Sequence, residues 1–327
     1  MEPRARLDAL VHGYQNAFIL LTANHLGLFR ALRDGPRAAA DLAAELRVDA
    51  RALELLLLAL AAEAVLIRTP DGFGLAPDCA PLLLPDGAQS QAAIYEHHHH
   101  LIARWARLPE VVRTGQPVPR AQPARQPAEL RAFICGMADV SRASSEEVAA
   151  KIDFSPFRRL LDLGGGPGTA ALTFARLHPR LACDVYDLPE VVAIAREEIA
   201  RAGLSSRVGT VAGDYFTDEL GEGYDCVYVS NIIHSLGRDE IAALFAKARR
   251  ALVPGGALMV KDFYLDDSRT RPASAARFAV NMLVGTEAGR SYTWTETQQL
   301  LAEAGFGELR AVEVATASGV LIGRAGA

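Results

Sequence analysis

The sequence predicts an α/β protein: a doubly wound, mostly parallel sheet that ends in an antiparallel hairpin, preceded by a mainly helical domain. Three observations predict it. From Phe157 onward, short apolar runs (RLLDLGGG, ACDVYDL, RVGTVAGD, YDCVYVSNII, GALMVKDF) alternate with helical stretches such as VVAIAREEIARAG and RDEIAALFAKARRAL. That alternation builds parallel strands with helices on both faces. The first run passes directly into Gly164-Gly165-Gly166-Pro167-Gly168 and then into TAALTFARL, a strand–glycine turn–helix unit. The first 88 residues read helix, helix, helix and hairpin, which is a winged-helix pattern.

The elements follow in order. Tyr14 to Leu32 is apolar over most of its circumference, so it is expected to be buried on several sides, as in a subunit interface. Ala38–Leu46 and Asp49–Ala62 make two shorter helices, with Asp49 placed to cap the second. VLIRTPDGFGLA then gives two short strands around the turn signal Pro70-Asp71-Gly72. Residues 89–113 form a further helix, and the proline-rich stretch 114–127 cannot be regular. Residues 128–151 are helical again. The last runs, ELRAVEVAT and GVLIGRA, are joined around Ala317 to Gly319, and a connection that short makes an antiparallel hairpin. The expected organisation is a winged-helix-like domain over 1–113, a linker and connecting helix over 114–151, and an α/β domain over 152–327.

Composition narrows the function. The 327 residues carry a formal net charge of −5, half are hydrophobic, and charge is spread without runs of one sign. Nothing there attracts phosphate polymers. The helix that would enter a DNA groove reads RALELLLLALAAEA, with one basic residue and no Asn, Gln or Lys for base edges. Residues 1–88 hold 8 Arg and no Lys against 11 acids, so no nucleic-acid partner is expected. Four cysteines, far apart and without C-x-x-C spacing, exclude a zinc ribbon and a disulfide framework. The densest apolar run, Leu55 to Ala62, is too short to span a bilayer. The expectation is a cytoplasmic protein with no membrane partner.

The glycine loop alone is ambiguous. Gly166, Gly168 and Ala171 fit the G-x-G-x-x-A variant used for NADP, with Asp187 at the distance for a ribose. Later features decide against a dinucleotide. Asp187 closes the second strand, in YDLPEVV with Leu188, where a carboxylate takes both ribose hydroxyls. Asp214 closes the third strand in GDYF, where an acid suits an adenine amino group and Tyr215 or Phe216 covers the base. Acids ending three strands (Asp162, Asp187, Asp214) make a poor pocket for pyrophosphate and a good one for a cationic sulfonium nucleoside. His234 stands just past the fourth strand, at the carboxyl edge where open α/β folds place ligands. An imidazole there is a natural general base near neutral pH.

LDLGGGPG, YDLPEVV, GDYF, SNIIHS and ALVPGG, in this order and spacing, resemble the class I S-adenosylmethionine-dependent methyltransferases. With the winged-helix front half, the whole chain resembles the caffeic-acid-type O-methyltransferases and their bacterial natural-product relatives. The resemblance implies a Rossmann-like methyltransferase domain, a homodimer whose N-terminal domain closes over the partner's site, and S-adenosyl-L-methionine as donor, with S-adenosyl-L-homocysteine as product. It implies dimerisation for the domain over 1–113 and a part in the substrate pocket for 114–151. It implies a donor held by Gly164, Gly166, Asp187, Leu188, Asp214, Tyr215, Phe216, Ser230 and Ser141. It further implies His234 as the base that takes a hydroxyl proton, and Asp262 in place of a glutamate that orients it. Phe133, Met137 and Met282 fall on substrate contacts, and Asn281 lies beside them.

The chain also departs from the family. Ser235 and Leu236 follow the histidine where Asp and Trp are usual, and Ser291 replaces the second flanking glutamate. Ser230 stands where a basic residue helps hold the donor's carboxylate. These departures keep methylation of carbon, or a non-methylating reaction on the same fold, beside the expected transfer to a hydroxyl of a small aromatic or polyketide-type metabolite. A ligand-sensing winged-helix regulator is the second alternative.

His97–His100 hold half of the eight histidines. On a helix they point in four directions, so at most two, such as His97 and His100, could share a metal, with Glu96 the only neighbouring acid. Ile94, His98, Leu101, Trp105, Leu108 and Val112 fall on one stripe, which turns His98 inward toward a substrate pocket. No metal is expected.

Overall fold

The computed structural model describes residues 2–87, 89–119, 127–314 and 318–326. The backbone divides into two compact units, Met1–Ala103 and Arg104–Ala327.

In the first unit, α1 (Pro3–His25) opens with proline at its first position and stops where Gly27 turns left-handed at φ 77°. The apolar stretch predicted as one helix to Leu32 is therefore broken, and the short α2 (Leu28–Ala31) follows it. α3 (Ala39–Leu46) and α4 (Ala50–Ala62) follow, and the Asp49 carboxylate caps α4 by accepting from the Ala52 amide at 2.8 Å. β1 (Leu66–Thr69) and β2 (Gly72–Leu75) pair antiparallel as the expected wing. α5 (Ala80–Leu83) precedes α6 (Ala92–Trp105), which runs across the division between the units. Leu28, Phe29, Leu42, Leu53, Leu57 and Leu60 make the core of this unit. Most of α1 stays outside it, with Leu7, Leu10, Val11, Tyr14 and Phe18 exposed. Of the stretch Tyr14 to Leu32 expected to be buried on several sides, Leu21, Ala23, Leu28, Phe29 and Leu32 are buried within this unit and Tyr14 and Phe18 are not.

The second unit begins with α7 (Leu108–Thr114), so residues 104–113 go with it and not with the front domain. The reason is local. Val111 packs with Val118 and Val284, and Arg104 donates to the Val118 carbonyl at 3.0 Å. Residues 115–119 are irregular, as their prolines require, and the rest of the proline-rich stretch to 126 lies outside the described residues.

The sheet unit then runs α8 (Pro127–Lys151), β3 (Arg159–Leu163), α9 (Thr169–Leu177), β4 (Ala182–Asp187), α10 (Pro189–Arg201), β5 (Val208–Ala212), β6 (Tyr224–Ser230), α11 (Arg238–Ala251), β7 (Leu252–Asp262), α12 (Ala273–Gly285), α13 (Trp294–Glu303), β8 (Phe306–Val314) and β9 (Ser318–Ala325). Seven strands order as β5-β4-β3-β6-β7-β9-β8. The first five are parallel, and β9 pairs antiparallel with both β7 and β8. The hairpin prediction thus holds, although Ala315–Ala317 of its connection lie outside the described residues.

Strand order reverses between β3 and β6. The carboxyl ends of the parallel strands diverge there and leave a crevice, the usual ligand position in an open α/β sheet. One face of the sheet buries Leu161, Val229 and Val260 against α11 and α13; the other buries Leu160, Tyr228 and Met259 against α8, α9 and α10. With both faces covered, only the strand ends present polar groups to a ligand. Among the described residues, no helix is long and apolar enough to cross a membrane.

Candidate active site

The glycine loop leaves β3 at this crevice. Gly164 and Gly166 take φ of 64° and 57°, the left-handed region open to glycine. A Cβ on Gly164 would also run into the Ile232 side chain. Its amide donates to the Tyr186 carbonyl at 2.8 Å, which holds the loop against the end of β4. The backbone is therefore bare where a nucleoside can approach.

Asp187 ends β4 with its side chain in this loop. Oδ2 accepts from the Gly166 amide and Oδ1 from the Leu188 amide, both at 2.8 Å. Burial pushes the carboxyl above its ordinary value, and the two amides pull it back by stabilising the charge. Asp162 behaves differently from the prediction. It is 1% exposed, Oδ2 accepts from the Ala171 amide at 3.1 Å, and its carboxyl packs under Gly165. Burial raises it to about 7. It braces the loop onto α9 and is not one of the pocket's acids, because β3 is central and its residue Asp162 faces the helix layer.

Asp214 follows β5 and accepts from the Phe216 amide at 2.8 Å, closing a tight turn that presents two rings. Tyr215 lies next to Gly164, and burial raises its hydroxyl to about 12, so it is a neutral wall. Phe216 is 52% exposed and tilts against Tyr215 with centroids 4.6 Å apart. Sequence reading missed what holds this turn: Lys247 on α11 donates to the carbonyls of Tyr215, Phe216 and Asp218 at 2.8–2.9 Å. A lone lysine on an amphipathic helix carries no signal for that role.

His234 sits in a single 3₁₀ turn, Ile233–Ser235, immediately after β6. Its Nδ1 is 2.7 Å from Asp262 Oδ1 at the end of β7, and its backbone amide donates to Asp262 Oδ2 at 3.3 Å. Burial pushes the Asp262 carboxyl up, but His234, the Phe263 amide and Lys261 together outweigh it and hold it below its ordinary value. A charged carboxylate at Nδ1 favours the tautomer with the proton there, leaving the Nε2 lone pair for a reacting proton. Phe278 of α12 meets the imidazole edge to face, with centroids 4.8 Å apart at 90°. The ring is fixed on two sides. Ser235 and Leu236, where the family has Asp and Trp, serve the turn instead: Ser235 Oγ donates to the Ile232 carbonyl, and the Leu236 carbonyl accepts from Tyr292.

Ser291 does not replace a second carboxylate at the base. It is buried, and its hydroxyl donates to the Ala275 carbonyl at 2.8 Å, pinning the start of α12. Asn281 Oδ1 accepts from Trp105 Nε1 at 3.0 Å, so its polarity is engaged within the second unit. Met282 is half-buried on the same helix. On α8, Phe133, Met137 and Ser141 repeat every four residues and so share a face. Phe133, half-buried, packs on the Ile134–Val191–Ile194 cluster. Ser141 donates to the Met137 carbonyl of its own helix at 2.7 Å. Leu188 caps α10 at the rim, 40% exposed. His98 is exposed rather than turned inward, although it follows buried Ile94 by four residues on the same face of α6.

Ser230, half-buried at the end of β6, is paired in register with Lys261 of β7. Lys261 is 2% exposed, and burial lowers its ammonium to about 8 while Asp262 pulls it back up. Its Nζ donates to Asn231 Oδ1 at 3.1 Å and lies 5.3 Å from the Phe263 ring centre. Asn231, at φ 57°, is the first residue past β6, so this buried cation stands at the crevice edge. Reading for a basic residue on the strand of the histidine overlooked it, because strand pairing alone brings Lys261 beside Ser230.

Comparison with known proteins decides the family. The O-methyltransferase domain family matches residues 114–307, and the O-methyltransferase dimerisation domain family matches residues 9–84. The chain belongs to the S-adenosylmethionine-dependent O-methyltransferases. It is 34% identical to a 3-hydroxy-5-methyl-1-naphthoate 3-O-methyltransferase of Streptomyces sahachiroi, over 97% of this chain and 94% of that one. Human N-acetylserotonin methyltransferase, solved with S-adenosylmethionine, superimposes with a TM-score of 0.92 at 26% identity, over 100% of this chain and 99% of that one. PigF, solved with S-adenosylhomocysteine, gives 0.90 at 25% identity, over 99% of this chain and 100% of that one.

The residues of this O-methyltransferase fit its donor. A left-handed glycine loop, with no room for a side chain at Gly164 or Gly165, suits close backbone approach. The half-buried Asp187 suits two ribose hydroxyls, and neutral Tyr215 suits an apolar nucleoside face. The front unit of this O-methyltransferase carries the dimerisation domain, and the exposed stripe of α1 overlaps it.

Proposed function

We propose that this O-methyltransferase methylates a hydroxyl of a small aromatic or polyketide-type metabolite, with His234 as general base and Asp262 as its orienting carboxylate. The contact of 2.7 Å between His234 Nδ1 and Asp262 Oδ1 carries the reading. S-adenosylmethionine supplies an electrophilic methyl on a sulfonium. Gly164, Gly166, Asp187, Asp214 and Tyr215 hold the donor's nucleoside at the ends of β3 to β5. His234 Nε2 removes the acceptor's proton as the oxygen–carbon bond forms and the sulfur–carbon bond breaks. Alignment supplies most of the acceleration, since no other group needs to be activated. The single carboxylate at the base favours acidic phenols, which need less proton removal than aliphatic alcohols. The test is product mass together with the NMR chemical shift and carbon correlations of the added methyl, which separate oxygen from carbon attachment, with hydroxynaphthoates, hydroxyindoles and aliphatic alcohols. A phenolic product carrying one added methyl supports the reading; methylation on carbon, or none with any phenol, overturns it.

Two further roles belong to this reading. The α1 stripe of Leu7, Leu10, Tyr14 and Phe18 lies within or beside the dimerisation match and supports a homodimer. Light scattering should read two chains for the wild type and one for Phe18→Glu; one chain for the wild type removes the role.

Lys261 supplies the cation that Ser230 lacks, placing its Nζ toward the carboxylate of the donor's amino-acid arm. A buried ammonium with an amide partner gains a charged one when the donor binds. Lys261→Met should weaken S-adenosylhomocysteine binding about 10- to 100-fold and leave 5′-methylthioadenosine, which has no carboxylate, unchanged. Equal effects on the two ligands would place Lys261 outside that contact.

A further inference from the structure

The four consecutive histidines of α6 are unused by methyl transfer, and folding gives them a partner that sequence spacing hides. His25, the last residue of α1, brings Nδ1 to 2.8 Å from Glu96 Oε1. The same oxygen lies 3.2 Å from His100 Nε2. His99, one helical turn after Glu96, stacks its ring on His25 with centroids 4.0 Å apart. One nitrogen each from His25 and His99 and one oxygen of Glu96 all lie within 4.8 Å of one another. Spacing alone leads to no expected metal, and the pair it would allow, His97 and His100, is not the pair brought together. Glu96 and His99 share a face as i and i+3, and the end of α1 completes the set from 71 residues away.

We propose that His25, Glu96 and His99 bind a divalent first-row metal ion of borderline softness, zinc foremost, with His100 placed to supply a fourth ligand. Two or three neutral imidazoles with one carboxylate are the nitrogen and oxygen donors such ions take. A divalent ion leaves the set with a modest positive charge, where the metal-free cluster holds a carboxylate among three rings. The scaffold is held without the metal: Asn24 Nδ2 donates to the Ala92 carbonyl at 3.0 Å and joins the end of α1 to the first turn of α6. The metal-free cluster also leaves His99 Nδ1 buried with no hydrogen-bond partner among the described residues, a polar atom that an ion-bound arrangement can satisfy. Metal–nitrogen bonds of about 2.0–2.1 Å set tetrahedral donors about 3.3 Å apart, so the donors close by at most about 1.5 Å. Opening the parallel stack of His25 and His99 by side-chain rotation supplies that movement. His25 and Glu96 are partly exposed, which leaves an entry path. The ion would clamp the end of α1, the helix that carries the apolar stripe.

The test uses the full chain without a polyhistidine tag, stripped by chelator and desalted. Zn²⁺ alone is titrated by calorimetry, and Co²⁺ loading is read by visible absorption. The expected result is about one ion per chain, bound with a Kd below about 10 μM, and Co²⁺ bands of a low-coordinate site. His25→Ala, His99→Ala and the shape-conserving Glu96→Gln should each weaken binding at least about 10-fold, whereas His12→Ala should not. Circular dichroism of the metal-free variants separates lost ligands from lost folding. Zn²⁺ binding weaker than that limit, or unchanged in folded His99→Ala and Glu96→Gln, overturns the site. Neither readout depends on methyl transfer.

Discussion

His234→Ala is expected to lower turnover by about 10²–10⁴-fold while leaving the affinity for S-adenosylmethionine within about threefold. The size follows from the task. A positioned base contributes about that factor, and the donor site, at the ends of β3 to β5, does not use the imidazole. The loss also leaves Asp262, 2% exposed, without the imidazole partner that helps hold its carboxyl below the ordinary range. Some loss of stability is therefore expected with the loss of rate. Asp262→Asn separates the two effects. It keeps an oxygen and a similar volume but offers an amide that can favour the wrong tautomer, so the rate should fall with the fold intact. Single-turnover kinetics at saturating donor, beside calorimetric titration, make the measurement. Wild-type turnover in His234→Ala would remove the base and leave only alignment.

Asp187→Ala is expected to cost about 10²–10⁴-fold in affinity for S-adenosylmethionine and S-adenosylhomocysteine alike. Two hydrogen bonds from ribose hydroxyls to a charged carboxylate contribute about 1.5–3 kcal/mol each. The change also strips the Gly166 and Leu188 amides of their shared acceptor, so the loop loses the contact that shapes it. Asp187→Asn should lie between, since one oxygen still serves Gly166. NADP is the control ligand. A variant that binds both sulfur nucleosides as tightly as wild type would show that the carboxylate shapes the loop and touches no ribose.

The reach of the sequence differs from element to element. LDLGGGPG was legible as a strand–glycine turn–helix unit, but which nucleotide it takes was legible only with the acids at the later strand ends. His234 was legible from its place after the fourth strand, and Asp262 from the resemblance. Asp162 was misplaced because a strand-ending acid reads the same whether it faces the crevice or the helix layer. For Phe133, i, i+4 spacing shows that it shares a face of α8 with Met137 and Ser141, not what that face meets. In the stretch Tyr14 to Leu32, hydrophobicity marked a surface that wants covering without showing that this chain covers Leu28 and Phe29 and leaves Tyr14 and Phe18 exposed.

By itself the sequence determined what is local and periodic: the strand–helix alternation, the cap at Asp49, the wing, the glycine turn and the chemical types at the strand ends. Those depend on backbone preference and on solvent exclusion over a few residues, which the chain carries at every position. Only the tertiary structure decided the pairings between distant segments. Lys261 beside Ser230 comes from strand register, Lys247 under the Tyr215 turn from helix packing, and His25 with Glu96 and His99 from the meeting of two helices. Each is a contact whose geometry is set by the packing of whole elements. No spacing along the chain encodes it.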